Sequence, residues 1–501
     1  MGWISNLFKR RRGKSPAKLR TFSTPSSEIG LLAKQFELAK SDRNDWSSVT
    51  SLYGEMGLVS DFMLRLVRAR ARHEHINNPW AKRAHDTWST YLVRDGITGE
   101  ARDGTKYGRR DLQAIYEDFW LTDRWDALGE RNLPAGQYLS VRSMVTTGES
   151  FWVRVWDDAN KPLPFRVRVL PQQYLDTSKW VVDKDQIIFQ GIEYNRMGRK
   201  VAYWFHPEDP TGAMGFLPSF RVPAEDVHHL YDPSIDNQRR GVAMGHASLL
   251  PLKDLKELGV ASIVAAKVAA CMCVFIEDPN YELPNVDPEG GSNWRKKLEQ
   301  DGLTPGMVSV LPGGATVKNT NPPNFSINGT VERNCLMAAA SGYNIPYELL
   351  TGDMGNVNWT SWRGRLLDFY AHVDRVHAGP VKCLTDTLGR WTYEGMALSG
   401  YNRRKAKLVW SPPARPVQDP AKEYPAARSA IRSGLMTLRE WWALKGRPLD
   451  KVLKEIAEDN ALLDEAGIVL DTDPRKTTNS GQVQAELLDA LETMLGEKHA
   501  A

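Results

Sequence analysis

A few residues in this chain have types and spacings that could do chemistry. Glu149, in Gly148-Glu149-Ser150, could act as a general acid, but no second carboxylate stands at a spacing that would complete an acid–base pair. His228-His229 and His73-x-His75 could ligate a metal, yet metal sites need three or four ligands with supporting groups, and neither pair has a recognisable third ligand near it. Neighbouring side chains near a strand end point to opposite sides, so His228 and His229 could not easily share one ion. Structural roles are expected for both pairs. Cys271-x-Cys273 reads as buried thiols on an apolar helix. Arg65, Arg68, Arg70 and Arg72 could meet phosphate or a neighbouring subunit's carboxylates, or could form a solvated helix face. There is no Gly-x-x-x-x-Gly-Lys-Ser/Thr phosphate loop, no Gly-x-Ser-x-Gly elbow, no His-Glu-x-x-His helix and no paired Cys-x-x-Cys knuckle. No enzyme activity, metal or cofactor is expected.

The elements that could position functional residues centre on 341–377. Pro346 cannot continue a helix, and Gly352, Asp353, Gly355, Asn356 and Asn358 supply loop chemistry after it. Thr360 or Ser361 is expected to cap a second helix, whose apolar positions Trp362, Leu366, Phe369, Val373 and Val376 recur at helical spacing. On pattern alone this is a helix–loop–helix of the kind found in many cores.

Upstream, a helix is expected from Asp61, broken by Asn77-Asn78-Pro79 before a second around Trp80 to Leu92, and another helical segment over Asp111 to Asp126. Alternation in WVRVW, PFRVRVL and QIIFQGIEY marks β-strands, with a hairpin turn at Asn195-Arg196-Met197-Gly198. The longest helical segment is expected from Gly245 to about Phe275, carrying Lys253, Lys256 and Lys267. Pro, Gly, Asn and Asp then become frequent, with a strand-like run from Met307 to Leu311, and a helix follows over Asn328 to Asn344. A long helix over 363–390, a strand from Lys405 to Trp410, and helices over Ala421–Ser433, Thr437–Leu444 and Leu449–Ala466 complete the reading.

Five or six of these stretches together resemble, in order, the lambda-type family of tailed-phage portal proteins. They are LRLVRARARHEHINNPWAKRAHDTW, GES-F-x-V, GIEYNRMGRKVAYWFHPEDP with RVPAEDVHHLYDPSIDNQRRG, NIPYELLTGDMGNVNWTSWRGRLLDFY, and DPAKEYPAARSAIRSGLMTLREWWALKG. The likeness spans roughly 60–470 and departs from the family's Asn-Tyr-Ser-Ser-x-Arg at Trp359 and Thr360. It implies an α+β portal-type fold: a basic arm over 1–45, a wing over 46–244, and a stem helix over 245–276. A clip over 277–326, a return stem helix over 327–345 and a tunnel loop over 346–362 would follow. A long helix with the rest of the wing over 363–411, crown helices over 412–470 and a tail over 471–501 would close the chain.

Function follows from the same resemblance. A ring of about twelve identical subunits would stand at the head–tail vertex of a virion assembled in a bacterial cytoplasm, around a channel for double-stranded DNA. Its implied partners are the terminase large subunit, head–tail adaptors and the major capsid protein. Asn356, Val357, Asn358, Trp359, Thr360, Ser361 and Arg363 would line the constriction, and Lys253, Lys256 and Lys267 the stem. Arg295, Lys296 and Lys297 would form a docking rim on the clip, although a solvated charge run reads equally well.

Composition is compatible. The 501 residues, 42% hydrophobic and 25% charged, can build several subdomains. A net charge of +4 is small for a chain that coats nucleic acid, but a ring repeats each inward side chain into a band. Tight phosphate binding would stall translocation, so weak repeated contacts suit a channel. The four cysteines fit a reducing compartment rather than a secreted disulfide framework. No stretch approaches the ~20 apolar residues of a membrane span. The basic start, MGWISNLFKRRRGKSPAKLR, has the wrong order for a signal peptide and reads as a disordered tail or as a membrane- or nucleic-acid-touching arm. The seventeen tryptophans suit packed interfaces or core. A metal-dependent nucleic-acid-processing enzyme and a non-portal capsid protein are the alternatives.

Overall fold

Asn78 ends one helix and begins the next. Helix α1 (Asp61–Asn77) stops ahead of Pro79, and α2 (Pro79–Val93) starts with that proline at its first position, where no amide donor is needed. The Asn78 side-chain oxygen accepts from the amides of Trp80 and Ala81 at 3.1 and 3.4 Å. Its amide group donates to Glu74 on α1 and to the Leu252 carbonyl at 3.0 and 3.1 Å.

The computed structural model of the chain describes residues 61–182, 187–210, 217–234, 236, 238–270, 274–278, 308–312, 329–355, 357–401, 406–417 and 419–468. The described residues within Ser60–Ser234 and Arg239–Ala501 make one compact unit. The arm over 1–45, the tail over 471–501, Cys271, Cys273, Arg295, Lys296, Lys297 and Asn356 lie outside the described residues. Among the described residues no helix is long and apolar enough to cross a membrane.

The fold mixes helix and sheet. After α2 come β1 (Thr98–Arg102), α3 (Lys106–Ile115) with a π-turn over Tyr116–Trp120, and α4 (Leu133–Thr147), so the helix expected to reach Asp126 ends early. Strands β2 (Glu149–Trp156), β3 (Phe165–Pro171) and β9 (Val227–Tyr231) form one antiparallel sheet in the order β3-β2-β9. A second sheet runs in sequence order through β4 (Val181–Val182), β5 (Ile187–Phe189), β6 (Ile192–Tyr194), β7 (Lys200–Phe205) and β8 (Phe220–Pro223). The hairpin at Asn195–Gly198 is present, and Gly198 takes the left-handed φ of +76° that the turn requires.

The chain continues through α5 (Leu249–Ala270), β10 (Val274–Asp278), β11 (Val308–Pro312), α6 (Gly329–Gly342), α7 (Tyr347–Thr351), α8 (Trp359–Val376), α9 (Lys382–Leu398) and β12 (Lys407–Ser411). The helix expected to reach Phe275 gives way to β10, which pairs in parallel with β11. Strand β12 pairs antiparallel with β1. The long helix expected over 363–390 is two helices. They are joined by a π-turn at His377–Val381, where Gly379 leaves helical geometry (φ −97°, ψ −108°) and Pro380 removes a donor. Helices α10 (Pro420–Arg432), α11 (Leu438–Leu444) and α12 (Leu449–Glu465) match the reading closely, α11 opening with a Thr437/Glu440 capping box.

Strand β2 departs from the alternation read in its sequence, because its first six residues are buried on both faces. Trp152 points into a core shared with the helices, among Trp88, Trp120, Trp125, Phe165 and Trp391. Phe151 and Val153 point the other way, into a core with Phe189, Tyr203 and Phe205 of the second sheet. A strand with apolar layers on both sides has no solvent face, so period-two polarity is not selected.

At the start of β2 the GES and RRG stretches meet. A Cβ on Gly241 would stand 1.9 Å from the Gly148 carbonyl oxygen, so only glycine lets the two backbones come this close. The approach brings the Gly241 amide to the Glu149 carboxylate at 2.9 Å. Arg68 of α1 reaches the same carboxylate at 2.9 Å, Arg240 binds it with Nε and Nη2, and His229 meets it at 3.1 Å. All four side chains are essentially out of solvent. Burial alone would raise the Glu149 pKa, but Arg240 and Arg68 outweigh it and hold the carboxyl well below its usual range. Glu149 is therefore the buried centre of an ion cluster, and Arg68 is neither a phosphate contact nor a solvated face residue. Arg65 instead reaches Asp61 and Thr177, and Arg72 reaches Gln173 at 3.1 Å.

Two outcomes are expected. Glu149→Gln leaves two guanidiniums buried without their countercharge and should cost about 3–5 kcal/mol, read as a lower urea midpoint at unchanged slope. Burial also pushes His85 and His228 down to about 3, so both stay neutral when folded and protonate more readily when unfolded. The stability they contribute is complete above their ordinary value of 6.5 and is lost as pH falls toward about 3. Urea midpoints measured across that window should fall steadily, and less steeply for a His85→Gln/His228→Gln variant.

Candidate functional site

The candidate site is the polar segment between α7 and α8. Helix α7 ends at Gly352, whose φ of +78° turns the chain while its amide donates to the Glu348 carbonyl at 2.7 Å. Asp353 then folds the loop on itself, accepting from the Gly355 amide at 2.9 Å. The cap of α8 is Asn358, not Thr360 or Ser361: its side-chain oxygen accepts from the Ser361 amide at 2.8 Å. An Asx side chain two or three residues ahead of orphan amides satisfies them better than a hydroxyl already inside the first turn. The expected loop of 346–362 thus shortens, and Trp359, Thr360, Ser361 and Arg363 sit on the first turns of α8.

These residues are brought together on one exposed projection. Asn358, Trp359, Thr360, Ser361 and Arg363 are exposed and Val357 is half-buried. Trp359 is 52% exposed and Met354 50%, so both leave apolar surface in solvent at the loop. Trp359 and Arg363 lie one helical turn apart, so an aromatic face and a guanidinium are presented side by side. This surface can stack or donate but does not carry a cluster of acids or a nucleophile–base pair. Among the described residues no group of three or more His, Cys, Asp or Glu side chains could hold a metal ion.

Lys253, Lys256 and Lys267 are all exposed on α5, within an arc of about 60° at 3.6 residues per turn. Val260 lies within that arc and Ile263 and Val264 flank it on either side, and all three are more than half exposed. Lys253 pairs with Glu257 at 3.4 Å. The face therefore mixes charge with uncovered aliphatic surface. The histidines have structural partners. His228 and His229 point to opposite sides of β9, His228 to Thr387 at 3.0 Å and His229 to Glu149. His75 meets buried His85 at 3.1 Å, and His85 meets the Tyr343 hydroxyl at 3.1 Å.

Three residues with a bearing on the loop are not visible as such in the sequence. Glu348 of α7 is buried and paired with Arg365 of α8, while Arg83 of α2 donates from Nε to the Leu349 carbonyl at 2.7 Å. A lone acid in the otherwise apolar run Ile345-Pro346-Tyr347-Glu348-Leu349-Leu350 was the available signal. Removing the cap with Asn358→Ala should cost about 1 kcal/mol and raise hydrogen exchange at the Ser361 amide, whereas Asn358→Asp should hold it protected.

The family described as "Phage portal protein, lambda family" matches residues 59–377, from the start of α1 to the end of α8. The "Probable portal protein" of Halomonas phage phiHAP-1 is 23% identical over 469 residues, which is 89% of each chain. Two solved structures share little overall superposition. A chain from the neck of a native GTA particle has a TM-score of 0.42 at 15% identity, with 75% of this chain and 92% of that one covered. A chain from the virion of a native gene transfer agent particle has a TM-score of 0.42 at 14% identity, with 76% and 93% covered. The family match takes in the paired GES and RRG stretches, both helices around the loop and the loop itself. The chain belongs to the lambda family of phage portal proteins.

Proposed function

We propose that this portal protein works as a ring of about twelve copies whose α7–α8 loops project into a channel carrying double-stranded DNA. A portal stands at the head–tail vertex of the particle, and its family is structural rather than enzymatic. The wing would comprise 46–244 and 363–411, the stem α5 and α6, the clip 277–326, and the crown α10, α11 and α12. The terminase large subunit and head–tail adaptors would dock on the clip through Arg295, Lys296 and Lys297. The major capsid protein would surround the ring, and assembly would take place in the bacterial cytoplasm.

The observation that carries the reading is the capped loop with Asn358, Trp359, Thr360, Ser361 and Arg363 exposed at its C-terminal end, in a chain of this family. One set per subunit, repeated by rotation, gives a collar of aromatic and polar groups around an axis. Such a collar contacts the duplex weakly at each subunit, which permits sliding. Exposed aliphatic surface supports the ring. Across α10, α11 and α12 only Ala427 and Val452 are buried, while Leu453 and Ile456, on the same stripe as Val452, are nearly half exposed.

Electron microscopy of the purified protein should give top views near twelvefold with an open centre; compact oligomers with no channel would overturn the reading. Trp359→Ala with Thr360→Ala should leave those rings intact and lower DNA retention severalfold in assembled particles. Leu453→Asp with Ile456→Asp should instead leave a folded monomer and abolish rings by sedimentation.

A further inference from the structure

We propose that Glu348 and Arg365 form a clasp that aims the loop, with Glu348 as its positioning residue. The proposal rests on the reading that the loop faces DNA, although the clasp itself is defined without it. Glu348 lies on α7 before the loop and Arg365 in the second turn of α8 after it, seventeen positions apart in sequence, and their side chains meet directly. Tying these two points together removes most of the freedom of the chain between them.

The short helix α7 cannot fix its own direction, because so few residues make no stable helix alone. Its direction comes from Leu350, buried in the helical core, and from arginines on three other helices. Arg365 of α8 takes the Glu348 carboxylate, and Arg83 of α2 takes the Leu349 carbonyl at 2.7 Å. Arg333 of α6 lies 5.7 Å from the centre of the Tyr347 ring. Arg83 also closes over the first loop residue, its Nη2 standing 3.5 Å from where a Cβ on Gly352 would be.

Glu348 differs from the other two contacts in its burial. It is 1% exposed, and its second oxygen, Oε2, makes no hydrogen bond to protein among the described residues. A buried carboxylate needs a countercharge, and the one in contact here is Arg365, whose own side chain is 52% exposed. Of the contacts that seat α7, this charge pair is the one made directly to α8, and the loop spans the angle between the two helices. An ion pair serving only stability would lower the melting temperature when broken, without changing where the loop points in molecules that remain folded.

The test reads loop position directly. In a full-length background with Cys271, Cys273, Cys335 and Cys383 replaced by serine, spin labels are placed at Met354→Cys on the loop and Tyr107→Cys on α3, both exposed. Labelled chains are diluted with unlabelled ones so that each ring contributes one intrachain distance. Glu348→Gln and Arg365→Gln should each broaden the distance distribution about twofold, while Arg365→Lys, which keeps the charge, should restore most of its sharpness. Unchanged distributions in both glutamine variants overturn the clasp. If Glu348→Gln does not fold, Arg365→Gln decides alone, since its side chain is half in solvent. Particles carrying Arg365→Gln are then assayed for DNA retention. Broadening with lost retention supports the clasp and the channel reading together. Broadening with full retention upholds the clasp and removes the loop from the DNA path. Lost retention without broadening overturns the clasp.

Discussion

A carboxylate in a fully buried position needs its charge answered on every side, and Glu149 obtains that from elements far apart in the chain. Arg68 comes from α1, His229 from β9, and Arg240 with the Gly241 amide from the segment after β9. None of these groups would be tolerated alone in that environment. Together they fix the first helix, the middle strand and the return segment in one arrangement, and the close glycine approach at Gly148 and Gly241 makes the arrangement sterically possible. Slippage of β2 by one residue would replace the carboxylate with Ser150 or Gly148 and exchange the faces of Phe151 and Trp152.

That register in turn partitions the hydrophobic interior. Strand β2 is a wall with a core on each side, one dominated by helices and one by the second sheet. The helical core extends from Trp88 and Leu92 on α2 to Phe369 and Val373 on α8, and includes Tyr343 and Ile345 at the end of α6. The loop is held at the edge of this packed body rather than on a free-standing arm. Trp88 packs edge-to-face on Phe369 and also donates to the Tyr343 carbonyl at 2.7 Å, so α2 bridges the helices on both sides of the loop.

Much of this was legible in the sequence where a local rule has one strong answer. The break at Asn78-Pro79, the Asn195–Gly198 hairpin and the helices α10, α11 and α12 fall within a residue or two of expectation, because capping and turn chemistry act over a few positions. The misses occur where tertiary contacts override local pattern. Strand β2 lost its alternation to double-sided burial, and the apolar helix expected to reach Phe275 yielded to a β-pair with partners more than thirty residues away. The cap passed from Thr360 or Ser361 to Asn358 because the loop ended earlier than its polarity indicated. Of the candidate site, the exposed residues of the loop were legible by type. The charged groups that hold it were not: Glu348 and Arg365 look like any acid and any arginine until the fold brings them together.

The break at Gly379 and Pro380 has a mechanical consequence. A continuous helix from Trp359 to Leu398 would conduct an axial push along its length, straight into the strands that α9 packs against. With the helical ladder interrupted, α8 is anchored sideways just before the break, through Arg375 to Asp232 and Asp374 to Arg415. A load applied at Trp359 therefore leaves the helix sideways, through its buried face on the helical core and through those two ion pairs into the segments that follow β9 and β12. Asp232 directly follows Tyr231, which pairs with Glu149 across β2 and β9, so a push along α8 is delivered to the sheet at its charged centre and not to the far end of α9.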